Sequence, residues 1–232
     1  MFSVLCISDQ PKSKFRRKCA VEALLSPVKG AAPYKVINVT PGKKGIDWRT
    51  VCFAAGCSSR SMLLPESVEV PLSVPIIRFE PQVFPLLIAL NTAVSLCDDE
   101  DKHKRSMVVH DSKAVLADYL PRAVPYASKI TVVTDCPEKY LECAGKIMDD
   151  FGAVIKIRSQ IDSAIKYDIA VSDKEKINAD ICVTADDVKK NADKINFPDE
   201  YVRMCPPQID VFGFICALFE CNGVTKLTDV RL

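Results

Sequence analysis

The chain has 232 residues, of which 48% are apolar and 26% are charged, as in an ordinary globular protein. Its net charge of +1 and the scarcity of aromatic residues beside its one basic cluster argue against a nucleic-acid-binding protein. The longest apolar stretch, residues 83–96, contains polar residues and is too short to cross a bilayer, which argues against a membrane protein.

The first part of the chain predicts alternating strands and helices. Strands are expected over residues 2–7 and 34–39, which are apolar and, in the second case, rich in β-branched residues. Helices are expected over residues 19–25, between these strands, and over residues 47–56, after the second one. This β-α-β-α order is typical of a parallel sheet covered by helices.

Prolines then interrupt the chain between Pro65 and Pro85. Because proline cannot donate a hydrogen bond to a sheet, the segment predicts extended chain with at most one short strand, over residues 72–79. A helix over residues 83–96 is apolar on almost every side and is expected to be buried. The charge run 98–105 predicts a solvated linker between an N-terminal lobe, 1–97, and a second lobe, 106–232.

The second lobe repeats the β-α-β-α order. Apolar strands are expected over residues 106–110 and 129–134, and helices over residues 113–120 and 137–151. Further elements complete the lobe: strands over residues 153–157, 169–171, 181–183 and 224–227, a capping box at Thr184 and Asp187, and helices over residues 161–165 and 209–220. The predicted fold class is α/β, with Rossmann-like parallel sheets, helices on both faces and two lobes. The alternative is one continuous doubly wound sheet with a helical C-terminal lid.

Cysteine usage points to a reducing compartment. There are eleven cysteines and two histidines, the cysteine spacings are scattered, and no Cys-x-x-Cys motif occurs. An odd number of scattered cysteines, several inside apolar runs, is typical of free buried thiols. We therefore expect a cytoplasmic protein with reduced thiols and no metal site.

Basic residues follow two predicted strands of the first lobe. Lys12 and Lys14 come after the first strand, and Lys43 and Lys44 come after the second. Loops at the carboxyl ends of parallel strands lie on one edge of a sheet, so these four lysines are candidates for an anion site. Residues 1–105 carry 15 Lys and Arg against 10 Asp and Glu. This excess of positive charge agrees with an anion site, and the alternative interpretation is ordinary surface composition.

Residues 106 to about 190 resemble the dinucleotide-binding domain of NAD(P)-dependent dehydrogenases. The resemblance lies in the strand at Met107-Val108-Val109, the helix expected from Lys113, and the strand ending at Asp135. It implies that His110, Asp111, Ser112 and Lys113 form the phosphate loop and that Asp135 binds ribose hydroxyls. The cofactor implied is NAD or NADP.

The phosphate loop departs from the family pattern. The glycine positions of that pattern fall on His110, Ser112 and Val115. These glycines allow a tight turn and a close approach of the backbone to the diphosphate. The resemblance therefore implies a degenerate loop that binds NAD or NADP weakly or not at all.

His110 is the strongest single candidate for a catalytic or ligand-binding residue. It ends a predicted central strand beside Asp111 and Ser112, where it could act as a general base or ligand donor. The alternative is a histidine with a purely structural role. No catalytic motif is evident in the sequence.

The leading interpretation is a non-classical Rossmann-like protein that binds a small anionic ligand or nucleotide at the carboxyl edge of its sheet. One alternative is an NAD(P)-dependent oxidoreductase with an unusual phosphate loop. Another is a protein-interaction module that presents Phe212, Phe214 and Phe219 to a partner. A homo-oligomer is compatible with all three.

Overall fold

A computed structural model describes residues 1–8, 18–97 and 104–232. Contacts divide the chain into two units: unit 1 is Met1–Pro81 with Phe197–Leu227, and unit 2 is Gln82–Asn196 with Thr228–Leu232. This grouping differs from the predicted lobes 1–97 and 106–232. The helix predicted over residues 83–96 belongs to unit 2, and the last helix of the chain belongs to unit 1. Most of the predicted linker, residues 98–103, lies outside the described residues.

Nine strands and six α-helices lie in the described ranges. The strands are β1 (Ser3–Ile7), β2 (Ala20–Val28), β3 (Ala31–Thr40), β4 (Met62–Leu63), β5 (Ser106–His110), β6 (Lys129–Val133), β7 (Ile155–Arg158), β8 (Tyr167–Ser172) and β9 (Ala179–Thr184). The helices are α1 (Trp48–Ala55), α2 (Phe84–Ser95), α3 (Pro137–Phe151), α4 (Ala185–Lys190), α5 (Asp199–Val202) and α6 (Val211–Asn222). The α/β fold class predicted from the sequence is confirmed. Within the described ranges, no helix combines the length and the apolar character needed to cross a membrane.

Unit 1 contains a mixed sheet with the strand order β2-β3-β1-β4. Strand β1 lies parallel to both β3 and β4, whereas β2 is antiparallel to β3. One face of the sheet carries an apolar cluster that includes the fully buried Leu5, Ile37 and Met62. On the other side, Phe2 stacks on Tyr34 at 5.3 Å between ring centroids, and Phe214 of α6 meets both rings edge-on.

The helix predicted over residues 19–25 is wrong, because this segment forms strand β2. It pairs with β3 through a two-residue hairpin turn, Lys29-Gly30, in which Gly30 adopts a positive φ of 74°. Glycine takes this conformation without strain, so the turn directs the chain straight back along β3. Pairing with the long, partly buried β3 thus overrides the helix preference of Ala, Glu and Leu in this segment.

The edge of β1 is completed by a side chain instead of a strand. Strand β4 pairs only with Ser3 and Val4, which leaves Ile7 without a strand on that side. The amide of Gln208 replaces it: its Oε1 accepts from Ile7 N at 2.8 Å and its Nε2 donates to Ile7 O at 2.7 Å.

We expect Gln208→Leu to lower the free energy of unfolding by about 1 kcal/mol, because both backbone groups of Ile7 lose their partner. Chemical denaturation of the full chain measures the change. The control is Gln160→Leu, which alters an exposed residue between β7 and β8. Equal stability of the two variants would show that the Gln208 amide contributes nothing.

Unit 2 contains a five-stranded, fully parallel sheet with the strand order β7-β6-β5-β8-β9. The central strand β5 is covered on both faces, since Met107, Val108 and Val109 are all fully buried. Helix α2 contacts β8, β9 and α4, and α3 contacts β7. The segment Thr228–Leu232 is held against α2 by the Asn91 amide, which donates to Thr228 O and Val230 O at 2.8 Å each.

Three further element predictions are wrong. The expected helix over residues 113–120 is a series of turns that leads into a 3₁₀ helix at Leu120–Tyr126. Residues 161–165 form a turn, and residues 225–227 are a 3₁₀ helix. Residues 72–79 form only an isolated bridge at Arg78, which agrees with the prediction of extended chain with at most one short strand. The capping box at Thr184 and Asp187 is confirmed: each side chain accepts the other residue's backbone N–H, at 3.0 and 3.3 Å.

Candidate functional site

The strand order of unit 2 reverses at β5. The chain places β6 and then β7 on one side of β5, and β8 and then β9 on the other. In open parallel sheets of this kind, ligands bind in the crevice outside the carboxyl ends of the two strands where the order reverses. These strands are β5 and β8, and their last residues, His110 and Ser172, are neighbours in register. We call the region beyond them the switch-point crevice.

Two aspartate-containing loops are tied together at the switch-point crevice. The backbone N–H of Ser112 donates to Asp173 Oδ2 at 3.3 Å, and the Ser112 hydroxyl donates to the same oxygen. The backbone N–H of Asp173 in turn donates to His110 O at 3.0 Å. His110 Nδ1 lies 3.5 Å from Asp173 Oδ1 and 3.4 Å from Ser172 Oγ. The crevice therefore gathers an imidazole, a carboxylate and two hydroxyls.

Asp111 faces into unit 2 and not toward the crevice. Its side chain is only 1% exposed. Asp111 Oδ2 accepts hydrogen bonds from the backbone N–H of Leu116 and from the Tyr140 hydroxyl, both at 2.7 Å. These two donors fix the loop after β5 from inside, so Asp111 has a structural role there. The same loop holds Ala114 at a positive φ of 53°, a conformation that non-glycine residues rarely adopt.

The loop after β5 lacks the helix on which diphosphate binding depends. In the dehydrogenase pattern, the diphosphate meets free backbone N–H groups at the start of a helix that follows the first strand. Here the segment after Ser112 consists of turns, and its 3₁₀ helix begins only at Leu120. Lys113 is exposed and donates to Gln82 Oε1 at 3.0 Å. A phosphate at this loop would meet side chains instead of a helix terminus.

Asp135 occupies the position that the resemblance implies. It follows β6 and is exposed, and its backbone N–H donates to Ser112 O at 3.2 Å. Asp135 is therefore an exposed acidic residue beside the loop that follows β5. The structure places Asp135 against Ser112, and it places Asp173 against both His110 and Ser112. Asp173 was not predicted as a site residue. The only feature of the sequence that could have indicated it is its position directly after a short apolar strand.

The predicted anion site of unit 1 is described only in part. Lys12 and Lys14 lie outside the described residues. Lys43 and Lys44 are exposed in a tight turn closed by reciprocal backbone hydrogen bonds between Gly42 and Gly45. This turn follows β3, whose carboxyl end lies at the same edge as that of its parallel neighbour β1.

The structure contains grooves that the sequence did not predict, among them one in each unit. In unit 1, a groove of about 600 Å³ lies at the carboxyl end of β1, and its charged lining residues are the acidic Glu66 and Asp210. In unit 2, a groove of about 510 Å³ lies between the segment after β5 and helix α3, and its charged lining residues are two of each sign: Lys139, Lys146, Asp118 and Glu142. Both volumes fall within the range of small-molecule sites.

The cysteines are all free, and all eleven lie within the described ranges. Burial raises the pKa of the Cys6, Cys143 and Cys221 thiols, and burial together with the nearby charge of Asp210 raises the pKa of Cys205 to about 12. A raised pKa keeps a thiol protonated and poorly nucleophilic. Among the described residues, no group of three or more His, Cys, Asp or Glu side chains is arranged to hold a metal ion.

The phenylalanines considered for a partner surface belong to the interior of unit 1. Phe212 and Phe219 are each 8% exposed, and Phe214 is fully buried. They therefore provide no open aromatic face for docking.

Comparison with protein-family models, with curated proteins and with solved structures finds no match for this chain.

Proposed function

We propose that unit 2 is a non-classical Rossmann-like module that binds a small anionic ligand or nucleotide in the switch-point crevice. The observation that supports this proposal is the reversal of strand order at β5 and β8, which coincides with a cluster of His110, Ser172 and Asp173. Crevices at such reversals are the ligand sites of open parallel sheets.

In the proposed mode of binding, charged side chains take the place of the helix N-terminus that holds the diphosphate in dehydrogenases. Lys113 and Lys174 directly follow Ser112 and Asp173, and both are exposed. They can meet an anionic group as point charges, which confers less geometric specificity than converging backbone N–H groups. Asp135 can accept hydrogen bonds from ligand hydroxyls, as the corresponding acidic residue of dehydrogenases does with ribose. We therefore expect weak binding of diphosphates.

A thermal-shift and calorimetry panel tests the proposal with NAD, NADP, ATP, adenosine, S-adenosylmethionine and inorganic phosphate on the full chain. A ligand that binds the native state raises its stability by about 2.7 kcal/mol at a hundredfold excess over Kd. We expect NAD and NADP to bind with a Kd above about 10 μM. Tight binding of either cofactor would favour the oxidoreductase alternative, and no binding by any compound in the panel would contradict the proposal.

If an anionic compound of the panel binds, a double lysine variant tests whether it binds in the switch-point crevice. We expect Lys113→Ala combined with Lys174→Ala to weaken binding about tenfold or more, because each lost charge contact to an anion is worth about 1 kcal/mol. The matched control is Lys129→Ala, which removes an exposed lysine at the amino end of β6, on the opposite edge of the same sheet. Equal loss of affinity in the control and in the paired variant would place the ligand elsewhere.

A further inference from the structure

One oxygen of the switch-point crevice is buried without a hydrogen-bond donor. Asp173 Oδ2 accepts from Ser112, but Oδ1 is buried and has no hydrogen bond within the described part of the chain. The nearby candidate is His110 Nδ1 at 3.5 Å, at the long limit for a hydrogen bond. Leaving a carboxylate oxygen buried and unpaired is costly. The position of the imidazole proton therefore decides whether this oxygen is satisfied.

Two arrangements of that proton compete. If the neutral ring carries its proton on Nε2, the Ser172 hydroxyl can donate to Nδ1 across 3.4 Å, and Asp173 Oδ1 stays unpaired. If the proton is on Nδ1, it points toward Asp173 Oδ1. The Ser172 oxygen does not need the ring, because it already accepts from the N–H groups of Lys174 and Glu175 at 3.3 and 3.0 Å. A hydrogen bond to a charged acceptor is stronger than one between neutral groups, so the Nδ1–H form is favoured.

We propose that His110 and Asp173 form an acid–base dyad in which Asp173 holds the imidazole proton on Nδ1 and leaves Nε2 as a proton acceptor. This inference rests on the proposed function, since the acceptor serves a ligand bound in the switch-point crevice. His110 Nδ1 lies beside Asp173 and Ser172, and the side chain as a whole is 20% exposed, so the ring remains partly accessible. Asp173 acts here as a positioning residue for His110.

The dyad suits a ligand that bears a hydroxyl group. In the proton transfer, the ligand O–H bond breaks, the proton forms a bond to Nε2, and the electron pair stays on the ligand oxygen. The positive charge that develops on the ring is balanced by the Asp173 carboxylate. The crevice would then activate the hydroxyl in addition to binding it.

Nitrogen-15 NMR of the histidine side chains tests the dyad without any ligand. The chain has two histidines, so a His103→Gln variant leaves His110 as the single imidazole signal. At a pH where the ring is neutral, we expect His110 as the Nδ1–H tautomer, whereas free histidine favours Nε2–H. In Asp173→Ala we expect a change to Nε2–H, with Ser172 as the donor to Nδ1. In the control Ser112→Ala, which keeps the Asp173 carboxylate, we expect Nδ1–H to persist.

Carbethoxylation with diethyl pyrocarbonate, followed by mass spectrometry, gives a second readout. An accessible, unprotonated Nε2 should react several times faster in the wild type than in Asp173→Ala, with His103 as the internal reference. An Nε2–H tautomer in the wild type, or equal reactivity of His110 in both proteins, would overturn the dyad. Neither measurement requires ligand binding, so failure of the dyad can be told apart from failure of the proposed function.

Discussion

Replacing Asp111 with alanine is expected to lower the free energy of unfolding by roughly 2–4 kcal/mol. The substitution leaves the backbone N–H of Leu116 and the Tyr140 hydroxyl buried without an acceptor, and each unsatisfied buried group costs about 1–3 kcal/mol. Part of this cost is offset because a buried charge is removed as well. Chemical denaturation followed by circular dichroism measures the change. The control Asp149→Ala removes an exposed carboxylate of α3 and should change stability by less than about 0.5 kcal/mol.

A double-mutant cycle with Tyr140 isolates the hydrogen bond itself. Burial, and to a lesser degree the Asp111 charge, raises the pKa of Tyr140 far above its usual range, so the hydroxyl stays protonated as a donor. Tyr140→Phe should cost about 1.5–3 kcal/mol, the range for a hydrogen bond to a charged group. Because both single variants break the same bond, the double variant should lose less stability than the two changes added together. Strict additivity would show that Asp111 and Tyr140 act independently.

The sequence was most informative where short apolar runs form the parallel sheet of unit 2. Strands β5 and β6 were predicted almost to the residue, because the buried residues of both strands form short, mainly apolar runs. Helix α3 was also predicted correctly, with proline at its start and Gly152 at its end in a left-handed conformation. In these places local preference and tertiary packing favour the same structure.

The errors arose where tertiary contacts override local preference. Strand β2 contains good helix formers, but its hairpin turn and its pairing with β3 make it a strand. The segment after Ser112 has a helical composition, yet the buried Asp111 carboxylate binds Leu116 N–H and Ala114 takes a left-handed conformation, which is incompatible with a regular helix. A single polar contact with a buried side chain is not visible in a pattern of apolar residues.

The candidate site was predictable in part. His110, Ser112 and Asp135 were identified because each lies at or just beyond the end of an apolar run that forms a strand of a parallel sheet. Asp173 was not, because its contact with His110 spans 63 positions of the chain and depends on β8 lying beside β5. Several strand orders are compatible with the same series of strands and helices, so the sequence alone could not select this neighbour.

The second large loss of stability is expected from a substitution in helix α2. Its residues Leu86, Leu87 and Ile88 are at most 1% exposed, so three consecutive positions point in different directions around the helix and all are buried. At these three positions the helix is packed on every side, so a charge introduced there could not reach water.

We expect Leu87→Asp to lower the free energy of unfolding by several kcal/mol, on the order of 3–5, because it removes a buried side chain and introduces an unpaired carboxyl group. The carboxyl group would be buried in its neutral form or would force the helix away from β8 and β9, and either outcome is costly. The matched control is Leu96→Asp, directly after the same helix, where the leucine is 59% exposed. That variant should lose less than about 1 kcal/mol, mainly through repulsion between the new charge and the negative end of the helix dipole. Thermal and chemical denaturation of both variants make the comparison. A Leu87→Asp protein that melts within a degree or two of the wild type would mean that α2 is exposed in solution and that unit 2 is packed differently.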